Sequence, residues 1–543
     1  MKIGEKITHL RVNANMNQEQ LAKALNVTRQ SISKWETNEA SPQIDKVLEL
    51  CKLFKVTADE LINDEIVINK SPNKEKEVRK NKYFGTDGFR GESNKVLTAK
   101  HAFEVGRFLG WYYSLPQFKS RHPNGEKAKI VIGKDTRRSS YMFEYAIAAG
   151  ITSSGADAYI LHVTTTPSVS YITRNEGFDC GVMITASHNV FYDNGIKVIN
   201  ANGEKLEDET ASLIEAYIDK DFAYLGIDGD DIPYATRENI GCITDYVEGR
   251  NRYVGYLISV VSKSFKGLKI ALDCANGASW NIARNVFQAL GAQVYAIGVE
   301  PDGLNTNKDC GSTHIDNLVK FVKEHDVDVG FAFDGDADRC IAVDEKGKVV
   351  DGDKMMYILG KALKAKGALN GNVIVTTIMS NSGAVKAFKA AGMDNEQTKV
   401  GDRFVYERMI EKDYSIGGEQ SGHIIIRKYA TTGDGILTAL KVTEEMIENR
   451  APLSKLAAPV KLYPQIMKNV RVIDKATTVN DPNVQKKVKE INELLDGNGR
   501  ILLRESGTEP VIRIMVEADN EELCNSYIDQ VYQLVKKGGY LCE

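Results

Sequence analysis

Five short polar segments of this sequence combine residue types that handle phosphate groups, metal ions and sugar hydroxyls. In one of them, Asp334, Asp336 and Asp338 alternate with glycine and alanine directly after an apolar, strand-like run. Mg²⁺ takes carboxylate oxygens at about 2.0–2.1 Å, so these carboxylates suit it if the loop curls, which the small residues between them allow. A solvated acidic turn is the alternative. An EF-hand is excluded, because Arg339 stands where that loop requires glycine.

Two hydroxyl-bearing segments could carry or bind a phosphoryl group. Ser187 lies in TASHN after the apolar run CGVMI, and a serine at a strand end can be a nucleophile, a phosphoryl carrier or a turn former. No Gly-x-Ser-x-Gly elbow surrounds it, which disfavours an α/β-hydrolase. The segment RESGTEP (504–510) offers Arg504, two hydroxyls and a glycine amide to a phosphate, and Arg513 could add a second charge. A capped β-hairpin turn explains the same residues equally well.

Two further segments give weaker signals. Glu419, Ser421 and His423 in GEQSGH are residue types that hydrogen-bond sugar hydroxyls, although a lone histidine is more often structural. The segment FGTDGFRG (84–91) combines three glycines, which permit close backbone approach, with Arg90.

A scaffold that brings these segments together is predicted from residue 83 onward. Short apolar runs such as KIVIG and VGFAF end in polar, glycine-rich loops, and helical segments lie between them. This pattern predicts an α/β fold with buried parallel or mixed sheets. Sites in such sheets gather beyond the carboxyl ends of the strands, where the polar loops lie.

The first 65 residues predict a separate, compact all-α domain. Asn17 and Thr28 precede helical segments as N-caps. The predicted core consists of seven apolar residues: Leu21, Leu25, Ile32, Trp35, Val47, Leu50 and Leu61. Residues 66–82 are rich in charge and asparagine, which predicts a solvated linker.

The composition limits the function classes. Lys+Arg is 70 and Asp+Glu is 74, and the net charge of −4 argues against a protein devoted to coating nucleic acid. The sequence lacks a run of about 18 apolar residues, so no membrane association is expected. The eight cysteines are scattered, which we interpret as reduced thiols of a cytoplasmic protein.

In this order, FGTDGFRG, TASHN, DGDADR, GEQSGH and RESGTEP resemble the motifs of the α-D-phosphohexomutase family. The resemblance runs from about residue 82 to residue 543, and stretches such as DGLNTNKDCGSTH and TTGDGILTAL are most similar to its bacterial phosphoglucosamine mutase branch. It implies four α/β domains around a central cleft. Their predicted boundaries are 83–243 (phosphoserine), 244–347 (metal loop), 348–459 (sugar loop) and 460–543 (phosphate clamp).

The resemblance also implies a role for each matching residue. Ser187 would be the phosphoserine and would bind one Mg²⁺ together with Asp334, Asp336 and Asp338. The other catalytic residues would be Arg90, His188, Lys197 and Arg339. The substrate would be bound by Asp402, Arg403, Glu419, Ser421, His423, Arg504, Ser506, Gly507, Thr508 and Arg513. Val190 departs from the proline that is usual in the family at that position, which puts the rigidity of the serine loop in question.

The implied reaction interconverts glucosamine 6-phosphate and glucosamine 1-phosphate through a 1,6-bisphosphate, with glucose or glucosamine 1,6-bisphosphate as activator. Two alternatives stay open. One is a phosphoglucomutase or phosphomannomutase, and the other is a transcription regulator that uses this fold as a sugar-phosphate sensor. A homodimer also stays open.

The first 65 residues resemble the phage-repressor-like (XRE-type) helix-turn-helix domain. The resemblance implies a recognition helix at 28–35, with DNA contacts from Gln18, Arg29, Gln30 and Lys34. The rival interpretation is a protein-binding or oligomerising module that has lost contact with DNA.

Overall fold

A computed structural model describes residues 2–13, 16–54, 56–63, 82–85, 87–227, 229–506 and 511–542. The chain divides into two compact units, Met1–Lys80 and Asn81–Glu543. Most of the predicted linker, residues 66–81, lies outside the described residues. Among the described residues, no helix combines the length and the apolar character needed to cross a bilayer.

The first unit is entirely helical, as predicted. Its helices are α1 (Ile3–Asn13), α2 (Gln18–Ala24), α3 (Arg29–Glu36), α4 (Ile44–Phe54) and α5 (Ala58–Ile62). Asn17 caps α2 in a reciprocal capping box with Gln20, and the Thr28 hydroxyl accepts the N–H of Ser31 at the start of α3. All seven predicted core residues are buried in one cluster. An ion pair of 2.5 Å between Arg11 and Glu36 ties α1 to α3.

The second unit begins with a mixed sheet of the strands β1–β7. The strands are β1 (Phe84–Gly85), β2 (Gly88–Glu92), β3 (Lys129–Lys134), β4 (Asp157–Val163), β5 (Cys180–Ile184), β6 (Asp193–Asn200) and β7 (Ile243–Asp245), in the order β1-β2-β6-β5-β3-β4-β7. The helices are α6 (Ala99–Tyr113), α7 (Arg138–Ser153), α8 (Thr166–Asn175), α9 (Asp208–Ile218) and α10 (Phe222–Leu225). Ile130 and Ile132 join one apolar cluster while Val131 joins another, so both faces of the sheet are covered.

The second sheet follows the helix α11 (Val247–Ser259). Its strands are β8 (Lys269–Asp273), β9 (Gln293–Ile297), β10 (Val329–Phe333), β11 (Cys340–Asp344) and β12 (Val349–Val350), in the order β12-β11-β10-β8-β9. Its other helices are α12 (Ser279–Ala289) and α13 (Asp316–Glu324). The strand β10 is buried at all five positions and runs parallel to β8, which explains its continuous apolar sequence.

The third and fourth sheets complete the chain. The third has the strands β13 (Val373–Thr377), β14 (Asp394–Thr398), β15 (Ile416–Gly418) and β16 (Ile424–Ile426). Its helices are α14 (Gly352–Ala365), α15 (Ser382–Ala390), α16 (Asp402–Glu411), α17 (Gly435–Glu448) and α18 (Leu453–Ala457).

The fourth sheet is antiparallel, with the strands β17 (Gln465–Arg471), β18 (Arg500–Glu505) and β19 (Val511–Glu517). Its helices are α19 (Lys475–Val479), α20 (Pro482–Leu495) and α21 (Glu521–Lys537). Short 3₁₀ turns lie at Pro116–Arg121, Arg237–Asn239 and Asn370–Asn372. Four sheets with their helices thus follow a small all-helical domain in the chain, which confirms the predicted fold class.

Two of the predicted domain boundaries fall close to strands. The predicted boundary between residues 243 and 244 lies inside β7. This strand pairs in parallel with β4 and therefore belongs to the first sheet. The strand β12 pairs with β11 of the second sheet and lies beyond the boundary at 347. Both strands are short, and all three residues of β7 are exposed, so neither has the apolar pattern that identifies a strand from sequence.

Candidate active site

Ser187 lies in a tight loop at the carboxyl end of the buried strand β5. Its backbone has a φ of +52°, in the left-handed region that non-glycine residues seldom adopt. Its side chain is buried, and its hydroxyl donates a 2.5 Å hydrogen bond to Oδ2 of Asp334. The first and second sheets therefore meet at this serine.

The three predicted carboxylates converge at the carboxyl end of β10. Asp334, Asp336 and Asp338 are buried, and one carboxylate oxygen of each lies within 4.8 Å of the others. The loop curls through Ala337, whose φ is +55°. Gly335 permits close contact with the serine loop, because a Cβ there would lie 2.6 Å from the carbonyl oxygen of Ser187.

The donor set of this loop fits a hard divalent cation. The oxygens Asp336 Oδ1 and Asp338 Oδ1 are buried, and neither has a hydrogen-bond partner among the described residues. Burial and the charges of Asp338 and Asp336 raise the pKa of Asp334 well above its usual value. Buried carboxylates that repel one another and keep unpaired oxygens are stabilised by a bound Mg²⁺, whose preferred ligands are such oxygens.

Lys197 forms ion pairs with this loop. Its Nζ lies 2.8 Å from Asp336 Oδ2, 3.2 Å from Asp338 Oδ2 and 3.2 Å from Asp87 Oδ2. Burial alone would raise the pKa of Asp336, but the Lys197 ammonium lowers it to about 2. Three carboxylates likewise outweigh burial and raise the pKa of Lys197 well above its usual value. Lys197 is therefore a fixed positive charge at the centre of the site.

Arg90 and Arg339 bring two further charges to the same place. The Arg90 guanidinium pairs with Asp87, and the backbone N–H of Arg339 donates to Asp334 Oδ1 at 3.2 Å. Burial opposes the charge of Arg339, but Asp334 and Asp338 raise its pKa above the usual value.

His188 differs from these residues. Burial, followed by the charges of Arg339 and Arg90, lowers its pKa to about 4, so its imidazole is neutral at pH 7.

The predicted sugar-binding residues lie on the turn between β15 and β16. Glu419 Oε1 accepts the N–H of Gly401 at 3.1 Å, and Ser421 Oγ lies 3.5 Å from Glu419 Oε2. His423 is buried, with Nε2 3.2 Å from Asp402 Oδ2. An isolated antiparallel bridge joins Arg339 to His423. The structure thus brings the sugar loop next to the end of the acidic loop.

Asp402 and Arg403, also predicted to bind substrate, are engaged in ion pairs between the first and third domains. Asp402 Oδ2 lies 2.7 Å from Nζ of Lys205. Arg403 pairs with Asp208 of the first domain and lies 2.7 Å from Glu407 on its own helix. Substrate contact by Arg403 would therefore require its guanidinium to share or leave these carboxylates.

The predicted phosphate clamp lies on the hairpin of β18 and β19, in a different sheet from Ser187. Arg504 and Arg513 are directly opposite each other in the antiparallel register. Burial and the Arg513 charge lower the pKa of Arg504, and like charges at this spacing favour an anion between them. Ser506 is buried, and its carbonyl accepts from Lys475 Nζ at 2.7 Å. Gly507 and Thr508 lie outside the described residues.

Sequence reasoning missed a second set of residues around this site. Asp87 links Arg90 and Lys197 to Lys205, whose Nζ lies 2.9 Å from Asp87 Oδ1. The Thr166 hydroxyl donates to Asp336 Oδ2 at 2.5 Å. Asp87 lies inside the FGTDGFRG motif, so its place was visible, but nothing in the sequence indicates which cations it contacts.

In the helical unit, three of the four predicted DNA contacts are on the surface. Arg29, Gln30 and Lys34 are exposed on α3. Gln18 is half-buried, and its amide donates to Glu36 Oε2 at 2.7 Å. The Gln18 side chain is therefore oriented by α3, the helix that carries the exposed residues.

Comparison with known sequence families gives five matches along the chain. Four are described as phosphoglucomutase/phosphomannomutase: alpha/beta/alpha domain I at residues 81–224, domain II at 245–347, domain III at 351–463, and the C-terminal domain at 467–534. The fifth, described as helix-turn-helix, matches residues 7–61.

Whole-length relatives agree with these matches. The chain is 59% identical over 459 residues to a phosphoglucosamine mutase of Lachnospira eligens, covering 84% of this chain and 99% of the relative. It is 46% identical over 455 residues to a phosphoglucosamine mutase of Bacillus cytotoxicus, covering 84% and 98%.

Solved structures show the same fold. A phosphoglucomutase/phosphomannomutase family protein of Burkholderia thailandensis matches with a TM-score of 0.67 at 21% identity, covering 84% of this chain and 97% of that one. The Aspergillus fumigatus N-acetylphosphoglucosamine mutase, solved with GlcNAc-6P and magnesium, matches with a TM-score of 0.57 at 18% identity, covering 84% and 96%.

Proposed function

The chain belongs to the phosphoglucomutase/phosphomannomutase family, and we propose that it interconverts glucosamine 6-phosphate and glucosamine 1-phosphate. The observation that carries this proposal is the position of Ser187, whose hydroxyl faces the acidic loop beside Lys197 and the two arginines. The sugar follows from relatives up to 59% identical that are named phosphoglucosamine mutase.

In the proposed reaction, Ser187 begins as a phosphoserine. The bond from its Oγ to phosphorus breaks, a bond from phosphorus to a sugar hydroxyl forms, and the hydroxyl proton ends on Ser187 Oγ. The resulting 1,6-bisphosphate turns over, and the other phosphate returns to Ser187 by the reverse step. Phosphoryl transfer depends on positioning and charge neutralisation, which the buried cations supply. A free hexose 1,6-bisphosphate would act as activator, because it can phosphorylate Ser187.

Asp334, Asp336 and Asp338 would hold one Mg²⁺, with Ser187 completing its ligands. The ion supplies positive charge to the phosphoryl oxygens when bound. Arg90, Lys197 and Arg339 would neutralise the rest of that charge. Neutral His188 would act as a hydrogen-bonding group next to the serine, since its Nδ1 lies 3.4 Å from Ser187 Oγ.

The substrate would be held at two places. Glu419, Ser421 and His423, supported by Asp402 and Arg403, would bind the sugar hydroxyls. Arg504, Ser506, Gly507, Thr508 and Arg513 would bind the phosphate that is not reacting. Because each phosphate occupies the clamp in turn, the clamp should recognise charge and not the sugar.

A panel of coupled assays tests the proposal. The chain, phosphorylated on Ser187, is given glucosamine 6-phosphate, mannose 6-phosphate or glucose 6-phosphate with Mg²⁺. We expect the highest kcat/KM with glucosamine 6-phosphate. Higher values for glucose or mannose phosphate would make it a phosphoglucomutase or phosphomannomutase, and no turnover on any of them would favour the sugar-phosphate sensor.

The helical unit supports a second activity, DNA binding. The helix-turn-helix match and the exposed Arg29, Gln30 and Lys34 on α3 favour it. Selection of random duplexes by the full chain should enrich one sequence. Failure to enrich any sequence would favour a protein-binding module.

We further propose a cytoplasmic location, which fits the eight free cysteines. A measurement of the mass in solution would distinguish a monomer from a homodimer.

A further inference from the structure

Asn307 lies in the long loop between β9 and α13, outside the segments assigned above. Its Nδ2 donates to the carbonyl oxygens of Ser187 at 2.8 Å and of Asn189 at 3.0 Å. Its side chain is 6% exposed. A residue of the second domain therefore holds the backbone of the serine loop in the first domain.

Arg137 holds the same two carbonyls from within the first domain. Its Nη2 lies 2.8 Å from the oxygen of Ser187 and 2.9 Å from that of Asn189, and its Nε pairs with buried Asp135 at 2.7 Å. A carbonyl oxygen has two lone pairs, so each oxygen accepts one donor from each domain. The orientation of both peptide groups is thereby fixed.

This arrangement matters because the loop is conformationally demanding. Ser187 has a φ of +52°, which an L-residue adopts only when its surroundings hold it there. Val190 follows Asn189, and valine does not restrict the preceding residue as proline does. The groups that hold its two carbonyls therefore contribute to the rigidity of the loop, together with the Thr185 hydroxyl, which accepts the N–H of Ser187 at 2.8 Å.

The contact between the domains is reciprocal. Thr166 of the first domain donates two hydrogen bonds to Asp336 of the metal loop. Its hydroxyl donates to Asp336 Oδ2 at 2.5 Å, and its N–H donates to the Asp336 backbone carbonyl at 3.1 Å. Asn307 is itself anchored, because its N–H donates to the carbonyl of Ala275 at 2.9 Å. Each reacting loop is thus fixed by a residue of the opposite domain.

We propose that Asn307 is a positioning residue for phosphoryl transfer, holding Ser187 Oγ against the acidic loop across the domain boundary. This inference rests on the proposed mutase activity. Asn307 does not touch the sugar in this role, so its loss should lower kcat and leave KM unchanged. A displacement of the serine by about 1 Å is enough to slow transfer about 100-fold.

The test compares Asn307→Gly with Asp309→Gly in the full chain. Both residues have left-handed backbones in the same loop, with φ of +59° and +53°, so both changes are compatible with the backbone. Asp309 is exposed, so Asp309→Gly is the control and should have the kcat of the unsubstituted chain. We expect Asn307→Gly to lower kcat about 10- to 100-fold, with KM for the sugar phosphate within about twofold. Phosphorylation of Ser187 by a hexose bisphosphate should slow by a similar factor.

Asn307→Asp is a second variant of the same size whose ionised carboxylate cannot donate to the carbonyls, and it should lower kcat as well. A kcat within twofold of the control for either variant would overturn the proposal. So would a variant that loses its cooperative melting transition, since Asn307 would then serve stability. If the unchanged chain itself turned over none of the sugar phosphates, the proposed function and not the role of Asn307 would have failed.

Discussion

The hydroxyl of Ser187 lies 2.5 Å from Oδ2 of Asp334, although the two residues belong to different sheets. Each residue follows the carboxyl end of a buried strand, β5 for the serine and β10 for the aspartate. The phosphoryl carrier and the cation site proposed here are therefore assembled by domain packing, and neither sheet alone contains both. Substitutions in this pair should affect chemistry much more than stability.

Ser187→Ala should abolish turnover, with a fall in kcat of at least about 10³-fold, because no other group replaces the phosphoryl carrier. Incubation with ³²P-labelled hexose bisphosphate should label the unchanged chain and not the variant. Ser259→Ala is the control, since Ser259 donates to Tyr256 on an exposed helix surface. Persistent label in Ser187→Ala would contradict the assignment.

Asp336→Asn should raise the Mg²⁺ concentration needed for half-maximal activity by about 10- to 100-fold, because an amide removes one of three charged ligands. High Mg²⁺ should restore part of kcat. Asp326→Asn is the matched control, because Asp326 is exposed and pairs with Lys269 at 2.7 Å. An unchanged Mg²⁺ requirement in Asp336→Asn would argue that the cation binds elsewhere.

The motifs predicted which residues meet, since their order and spacing carry family-specific information. Ser187, Lys197, Arg90 and the acidic loop do lie together in the structure. The sequence could not indicate how the cations are distributed. Lys205 contacts Asp87 and Asp402 through tertiary packing of the first and third domains, which no local pattern encodes.

No local sequence pattern singles out Asn307 or the edge strands β7 and β12, for different reasons. Asn307 stands in the quoted stretch DGLNTNKDCGSTH, but an asparagine in a polar loop is most often a turn former. The strands β7 and β12 are too short to have an alternating pattern, so no local signal in the sequence marks them. The strands that carry the serine and acidic loops are five residues each, buried at every position and continuously non-polar in sequence, and this pattern is recognisable without a structure.

Stability should depend on pH through buried Asp434. This residue caps α17, and the Tyr253 hydroxyl donates to it at 2.7 Å. Burial raises its pKa to about 6 from 3.8, so between about pH 4 and pH 6 the folded chain holds one more proton than the unfolded chain. The contribution of Asp434 to the free energy of unfolding is therefore fully present at low pH. It falls by up to about 3 kcal/mol as pH rises through 6.

The measurement is the apparent melting temperature of the parent and of Asp434→Asn between pH 4 and pH 8. Asparagine cannot ionise, so the difference between parent and variant should shift in favour of the variant as pH rises to 6 and then level off. A difference that stays constant across this range would show that folding does not raise the pKa of Asp434.

For the helical unit, Arg29→Ala in the full chain should weaken binding to a selected duplex. Removal of one phosphate contact should also reduce the slope of log affinity against log salt by about 0.9. Lys52→Ala is the control, because Lys52 is exposed on α4 and not on α3. Equal effects of the two substitutions would indicate a nonspecific charge effect instead of contact through α3.

The strand β7 ends at Asp245 and α11 begins at Val247, so a single residue separates the first sheet from the second domain. That residue, Tyr246, packs against Tyr159 and Phe178 with ring centroids 5.4 and 5.8 Å apart. Two gene fragments divided between residues 243 and 244 would cut this strand and expose the edge of β4. Such halves should complement each other poorly when they are co-expressed, because the cut separates two residues of a strand that belongs to the first sheet.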